Sequence, residues 1–544
     1  MSGNFYGRSS PGELADESAT AQWQRGRSPP QRPPPNRGDE DKLNIPYIPF
    51  CGHSVPLDQL GHILAMGQSG GGKSLLLSPT IYGIARAVTE DPTRKLLIVA
   101  TKDENAKGIK GLRVPHVLVT FTYSQGLGWH IEHDFRSPFQ IGQLSNDFFK
   151  EFEGDNAFWN RVGRSIHTAI CVSLKERKGG CSLGDQIRAI YLSNEELRHL
   201  LNSSQYGRRI VEVFLSNQDA EMLGKFRSQV ASGIERYLIA ACKSELSYPF
   251  SLEEFYFGDS LPPIAIIQLN PDMQEVERPL ASSLIRRAFE LILLGSTTSR
   301  KDKIVVIEDI NHMKAIPKLV EMSELSRAQG CVLIALSQSF EGLQSKDSYG
   351  DQAEALLNNF PFQVFLGTNS AKTAKWCAER FGESEHFEDN YGRSFGKDNI
   401  QGREERRRSV ESIVKSAEIL NLPPPSPKNG FHFYLKTPLC GYELRKYIPW
   451  HQVLKRTPQM REVTLTPIPE AFQQLKFWTP EEVKRLLAGK PSQVNPDYTD
   501  PNAFAENLRL FEEEIMQCLY DLLQLGDPDM IRHFSQFSPV HTKE

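Results

Sequence analysis

Four glycines, a lysine and two hydroxyls crowd into eight residues, Gly67, Gln68, Ser69, Gly70, Gly71, Gly72, Lys73 and Ser74. The glycines let successive backbone N–H groups turn inward around a polyphosphate, Lys73 adds a mobile cation, and the Ser74 hydroxyl suits a Mg²⁺ ion carried by the phosphates. A second set of groups closes the run Ile304-Val305-Val306-Ile307-Glu308-Asp309, where two carboxylates follow four aliphatic residues. Acids at the carboxyl end of a strand stand where open α/β sheets bind their ligands. One would hold the metal's water shell and the other would accept a proton from an attacking water. Gln338 follows a further apolar run, Cys331 to Leu336, and can hydrogen-bond both that water and a γ-phosphate. Arg327 stands just before the same run. Two readings fit it: a guanidinium offered to a neighbouring subunit's γ-phosphate, or a structural salt bridge.

These groups need a scaffold, and the flanking residues describe one. His62 to Met66 reads as a short strand before the glycine loop, and Leu75 onward as a helix whose amino-terminal dipole favours an anion. Lys95 to Thr101, Val117 to Phe121, Pro263 to Leu269 and Lys303 to Asp309 are strand-length apolar runs, with a helix expected over Pro279 to Leu293. Alternation of this kind predicts an α/β fold, a mostly parallel sheet flanked by helices. Residues 180–258 carry helical periodicity and predict an inserted all-α domain, which splits the nucleotide-binding unit into 43–179 and 259–455. Residues 1–42, rich in Ser, Gly, Arg and Pro, cannot bury enough apolar surface to offset chain entropy and predict a disordered tail. Residues 456–544 predict a C-terminal helical extension: Thr479 caps a helix entered by Pro480, Glu481 and Glu482, and a second helix spans Phe504 to Leu525.

Composition narrows the function classes. The net charge of −4 denies the chain a global basic field, so any nucleic-acid contact must come from local Arg and Lys clusters. The cluster Arg403-Glu404-Glu405-Arg406-Arg407-Arg408 mixes signs and reads by default as a solvated face, with a channel-lining DNA contact as the second reading. Eight scattered cysteines without a C-x-x-C pair suit reduced thiols in the cytoplasm. His130-Ile131-Glu132-His133 offers metal-binding groups, but no cysteine or second histidine pair accompanies it, so spacing alone assigns no metal there. No apolar run approaches the ~20 residues that span a bilayer, and the amino terminus lacks a signal-peptide pattern.

Taken in order, the glycine loop, Phe158-Trp159, the helical stretch, Ile307-Glu308-Asp309, Ser326-Arg327-Ala328-Gln329-Gly330, Ser337-Gln338-Ser339, Tyr349-Gly350, Leu357-Asn358 and Leu366 to Thr373 resemble the coupling proteins of type IV secretion and conjugation systems. These are DNA-pumping ATPases of the FtsK/HerA superfamily. The likeness runs from about residue 43 to 450 and includes Ser409 to Leu422 and Gly430 to Leu435. It implies a RecA-like motor with an inserted all-α domain, a homo-hexamer around DNA, and ATP with Mg²⁺ between subunits. By position it makes Lys73 and Ser74 phosphate and Mg²⁺ contacts, Glu308 and Asp309 the metal and water carboxylates, Gln338 a sensor, and Arg327 an arginine finger. Further partners implied are the relaxosome, other secretion substrates and the secretion channel. The chain departs from the family at three places. It has Glu308-Asp309 where members have Asp-Glu, which leaves the base open. It shows no transmembrane helices, so a cytoplasmic location would need a partner to reach the inner membrane. Thr101 to Asn105 replaces a family turn. A DNA translocase for processing or defence, and a nucleotide-dependent adaptor with little pumping, are the alternative functions.

Overall fold

Runs of aliphatic residues bounded by polar turns become the buried strands of one sheet. The computed structural model describes residues 45–149, 156–215, 220–313, 315–395, 400–439 and 441–488. The expected tail over residues 1–42 and the expected helix over Phe504 to Leu525 lie outside these. In chain order the strands are β1 (Tyr47–Phe50), β2 (His53–Pro56), β3 (Ile63–Met66), β4 (Lys95–Ala100), β5 (Val117–Val119), β6 (Gly128–Trp129), β7 (Pro249–Phe250), β8 (Ile264–Gln268), β9 (Thr298–Ile307), β10 (Gln329–Ser337), β11 (Phe362–Phe365), β12 (Glu383–Phe395), β13 (Ile400–Ser412), β14 (Phe431–Thr437) and β15 (Gly441–Ile448). The principal sheet has the order β15-β14-β11-β3-β10-β9-β4-β8-β5. From β11 to β5 every pairing is parallel, and β14 and β15 close one edge antiparallel.

The pleat sorts each strand's side chains between two apolar layers. Leu64, Met66, Leu97, Val99, Val305, Ile307, Leu333 and Ala335 join one core. Their neighbours Ile63, Ala65, Leu96, Ile98, Ile304, Val306, Val332 and Ile334 join the other. Successive side chains of a strand point to opposite faces, so a sheet covered on both sides needs aliphatic residues at every position, and these strands supply them. The Lys73–Glu90 and Glu104–Leu112 helices, with β1 and β2, cover the second face.

The first face carries the helix-rich layer, and that layer begins upstream of residue 180. The Asn156–Lys178 helix packs with segments beyond it: the rings of Trp159 and Phe226 lie 5.9 Å apart, Gln229 donates to Asn160 at 2.7 Å, and the Ser173 and Ser204 hydroxyls meet at 2.7 Å. Sequence periodicity cannot see such contacts, because both partners look like ordinary amphipathic helices. Residues 180–258 also hold a short strand, β7, paired with β6. The helix expected from Pro279 starts earlier, at Gln274, with Pro279 in its second turn. Another difference concerns the mixed-sign cluster at 403–408. Its backbone belongs to β13, paired antiparallel with β12 as a separate two-stranded ribbon. No helix among the described residues is long and apolar enough to cross a membrane.

Candidate active site

Parallel neighbours bring their carboxyl ends to one edge, and the register here sets Met66 opposite Ser337, and Ile307 opposite both Ala335 and Val99. The chain therefore leaves β3, β10, β9 and β4 side by side, delivering Gly67, Gln338, Glu308 and Thr101 to a common rim. The glycine loop is pinned there by its backbone. Gly67 N–H donates to the Ser337 carbonyl at 3.2 Å and Gln68 N–H to the Gly367 carbonyl at 3.0 Å. Gly70 and Gly72 take φ of +72° and +81°. At Gly72 a Cβ would also stand 2.8 Å from Pro425 Cγ and 3.0 Å from the Phe431 ring, so conformation and space both demand glycine. The Lys73–Glu90 helix starts directly after it.

Charge in this rim is arranged around a gap. Lys73 folds onto its own loop, its Nζ donating to the carbonyls of Gly67 at 2.6 Å and Gln68 at 3.0 Å. Burial lowers its pKa to about 8, opposed first by the negative charge of Asp309. Glu308 is 5% exposed and both its carboxylate oxygens lack a hydrogen-bond partner. Burial pushes its pKa up to about 7, helped by the charge of Glu104, while Lys102 and the Ser74 hydroxyl favour the ionised form without closing a full hydrogen bond. Gln68 Oε1 is likewise buried and unpartnered. Orphaned oxygens beside a glycine loop and a serine hydroxyl form a donor set that fits a hydrated, hard divalent cation.

Asp309 differs from its neighbour in being held. One oxygen accepts from the Gln338 amide, the other from His312 N–H at 3.2 Å. Asn311, two residues on, ties three strand-end groups together: its Oδ1 accepts from Ser337 Oγ at 2.7 Å and from Gln338 N–H at 2.8 Å, and its Nδ2 donates to the Ser339 carbonyl at 2.9 Å. Arg278 joins from the next helix, 3.1 Å from His312 Nδ1, with its charge near Asp309. Asn311, Lys102, His312 and Arg278 were not singled out by sequence. Their proximity in chain to the acid pair is a signal for Asn311 and His312, whereas Lys102 and Arg278 arrive through sheet topology.

Arg327 lies elsewhere. It precedes β10, at the opposite edge of the sheet, with roughly 26 Å of strand between Gln329 and Ser337. Its side chain is exposed, and it makes no ion pair among the described residues. Its carbonyl accepts from Lys301 Nζ at 3.1 Å. The loop from Leu366 to Thr373, in contrast, borders the glycine loop: Glu341 accepts the hydroxyls of Ser370 and Thr373, which fastens the end of β11 to the turn after β10.

Comparison with known proteins bears on the fold and the family. Among curated proteins none matches the chain. Among solved structures it is similar to the bacterial conjugative coupling protein TrwBdeltaN70 in its unbound monoclinic form, at 19% identity and a TM-score of 0.57 over 77% of this chain and 92% of that one. TrwB in complex with ADP and Mg²⁺ gives 18% identity and 0.54 over 79% and 93%. TrwB with the ATP analogue ADPNP gives 18% and 0.56 over 75% and 90%. At such identities the likeness establishes the fold, a RecA-like α/β core, of which alternation predicted the α/β class and the family resemblance the RecA-like form. The family model for the type IV secretion-system coupling protein DNA-binding domain matches residues 45–438. With nearly three quarters of its length under that model, the chain belongs to the family of type IV secretion-system coupling proteins.

Proposed function

We propose that the chain is an ATP-hydrolysing motor that moves DNA, alone or with bound protein, toward a secretion or conjugation channel. One observation carries the reading: the loop holding Lys73 and Ser74 shares a rim with an unpartnered buried carboxylate, Glu308, and with the bonded pair Asp309 and Gln338. That TrwB is known with ADP and Mg²⁺ and with ADPNP supports it.

In this account the backbone N–H groups of residues 67 to 72 cradle the phosphates, and Lys73 releases its loop carbonyls to pair with them. Ser74 and ionised Glu308 would hold Mg²⁺, which would supply charge neutralisation to the phosphates. Asp309 is placed to accept the water's proton, because Gln338 and His312 orient it, whereas Glu308 is buried beside the metal donors. Gln338 positions the water and senses the γ-phosphate. Exposed Arg327, too far to reach its own loop, serves the site of the next subunit in a homo-hexamer. DNA is the transported partner, relaxosome proteins and channel components its delivery route, and a cytoplasmic position beside the inner membrane its place of work.

The test is ATP turnover with and without single- and double-stranded DNA, for the native chain and for Lys73→Ala. DNA-stimulated turnover, abolished in the folded variant, is expected. Nucleotide binding with no DNA stimulation would instead mark an adaptor, and full turnover in Lys73→Ala would remove the site from the mechanism.

A further inference from the structure

His130, Glu132 and His133 stand on one short segment that leaves β6, and each presents a ligand atom within 4.8 Å of the other two. Two imidazoles and a carboxylate are the donor set of borderline divalent ions, Zn²⁺ above all. Spacing alone did not single the segment out. The structure adds three observations.

The segment is rigidly mounted. Asp134, fully buried, accepts from Trp129 Nε1 at 2.7 Å and from the backbone N–H groups of Leu252 and Glu253 at 3.0 Å each. His130 N–H donates to the Phe250 carbonyl at 2.9 Å. The first ligand is also oriented from behind: His130 Nε2 bonds the Ser244 carbonyl at 2.8 Å, which leaves Nδ1 as the nitrogen nearest Glu132, at 3.1 Å from its Oε1. Ligating histidines characteristically donate their other ring N–H to a backbone carbonyl in this way. Finally, Glu132 has unused capacity, since its Oε2 is buried without a hydrogen-bond partner.

We infer that His130, Glu132 and His133 bind one Zn²⁺ ion, with a fourth position left for water or a partner's donor atom. Bonds of about 2.0–2.1 Å in tetrahedral geometry need ligand atoms roughly 3.3 Å apart. The pair His130 and Glu132 already meets that spacing, and the exposed His133 is the ligand free to close in. Glu132 also lines a cavity of about 440 Å³ with Lys178, Ser182, Asp185 and Trp478, which gives an ion access; the Lys178 charge there is paired with Asp185 at 2.7 Å.

The site is separate from the glycine loop, and the test keeps them apart. Untagged full-length protein is titrated with Zn²⁺ in excess Mg²⁺ by calorimetry, and metal retained after dialysis is counted by mass spectrometry. His133→Ala and Glu132→Gln are compared with the native chain and with Lys73→Ala. The expected result is one retained equivalent in the native protein and in Lys73→Ala, and affinity lower by more than about tenfold in the two ligand variants with unchanged circular dichroism. Co²⁺ in place of Zn²⁺ should give the visible absorption of a tetrahedral site, lost in His133→Ala. Equal retention in native and ligand-variant protein, or none in the native protein, overturns the proposal and leaves His130 and Glu132 a structural ion pair.

Discussion

Glu308 is the residue whose chemistry is most open to measurement. Its pKa of about 7 against the ordinary 4.5 means that near neutral pH much of the ligand-free protein carries it protonated. Because the folded state holds this proton more tightly than the unfolded chain, the group makes folding less favourable as pH climbs from about 4.5 to 7. Loading Mg²⁺ with nucleotide must expel the proton. Calorimetry in buffers of differing ionisation enthalpy should therefore show a difference between the native chain and Glu308→Gln of about half a proton released at pH 7, more at pH 6 and almost none at pH 8.5, any proton that Lys73 takes up on meeting phosphate being common to both. Equal proton exchange in the two proteins would assign the proton to another group. Lys73, Ser74 and the acid pair were legible as candidates because each belongs to a pattern of local spacing. Asn311 hydrogen-bonds across strand ends and is signalled only by standing two residues after the acid pair, whereas nothing within Arg278's own segment announces its approach to His312.

At the scale of elements, His62 shows how the rim's strands are fastened. Buried at the start of β3, it accepts Leu333 N–H at Nδ1, 2.9 Å, and donates from Nε2 to the Ser323 carbonyl at 2.7 Å, so it joins β3 to β10 as a neutral ring. Burial lowers its pKa from 6.5 to about 4. Between those values the unfolded chain binds the proton and the folded one does not, so this group's contribution to stability is present above pH 6.5 and is lost as pH falls toward 4, to a limit of about 3 kcal/mol. Thermal midpoints should drop from pH 7 to pH 5 in the native protein and drop less in His62→Asn; an equal drop in both would place the pH sensitivity elsewhere. Strands β3, β4, β8 and β10 and the carboxyl half of β9 were legible because each is an aliphatic run buried on both faces, whereas β11 and β15, of mixed composition, were not read. The β12–β13 ribbon was not legible either, since a charged segment such as Arg403 to Arg408 reads as a solvated face with no strand signal, although strand pairing runs through its backbone. The reach of the helix-rich layer back to Asn156 was hidden for a related reason: it rests on contacts such as Trp159 with Phe226, between residues far apart in the chain.

For the whole molecule the account requires more than one copy, because Arg327 stands at the edge of the sheet opposite its own glycine loop. Arg327→Ala and Lys73→Ala should each be inactive alone, yet mixing them should restore turnover by pairing an intact loop with an intact arginine across an interface. Mixtures no more active than their components would make Arg327 a surface residue. Everything nevertheless returns to the juxtaposition of the loop at 67 to 74 with the acids at 308 and 309. Diffraction from crystals grown with a nonhydrolysable ATP analogue and Mn²⁺ tests it most directly. The account predicts an anomalous peak between the Ser74 hydroxyl and the Glu308 carboxylate, with triphosphate wrapped by the loop. Nucleotide bound elsewhere, or no ion at that position, would contradict it.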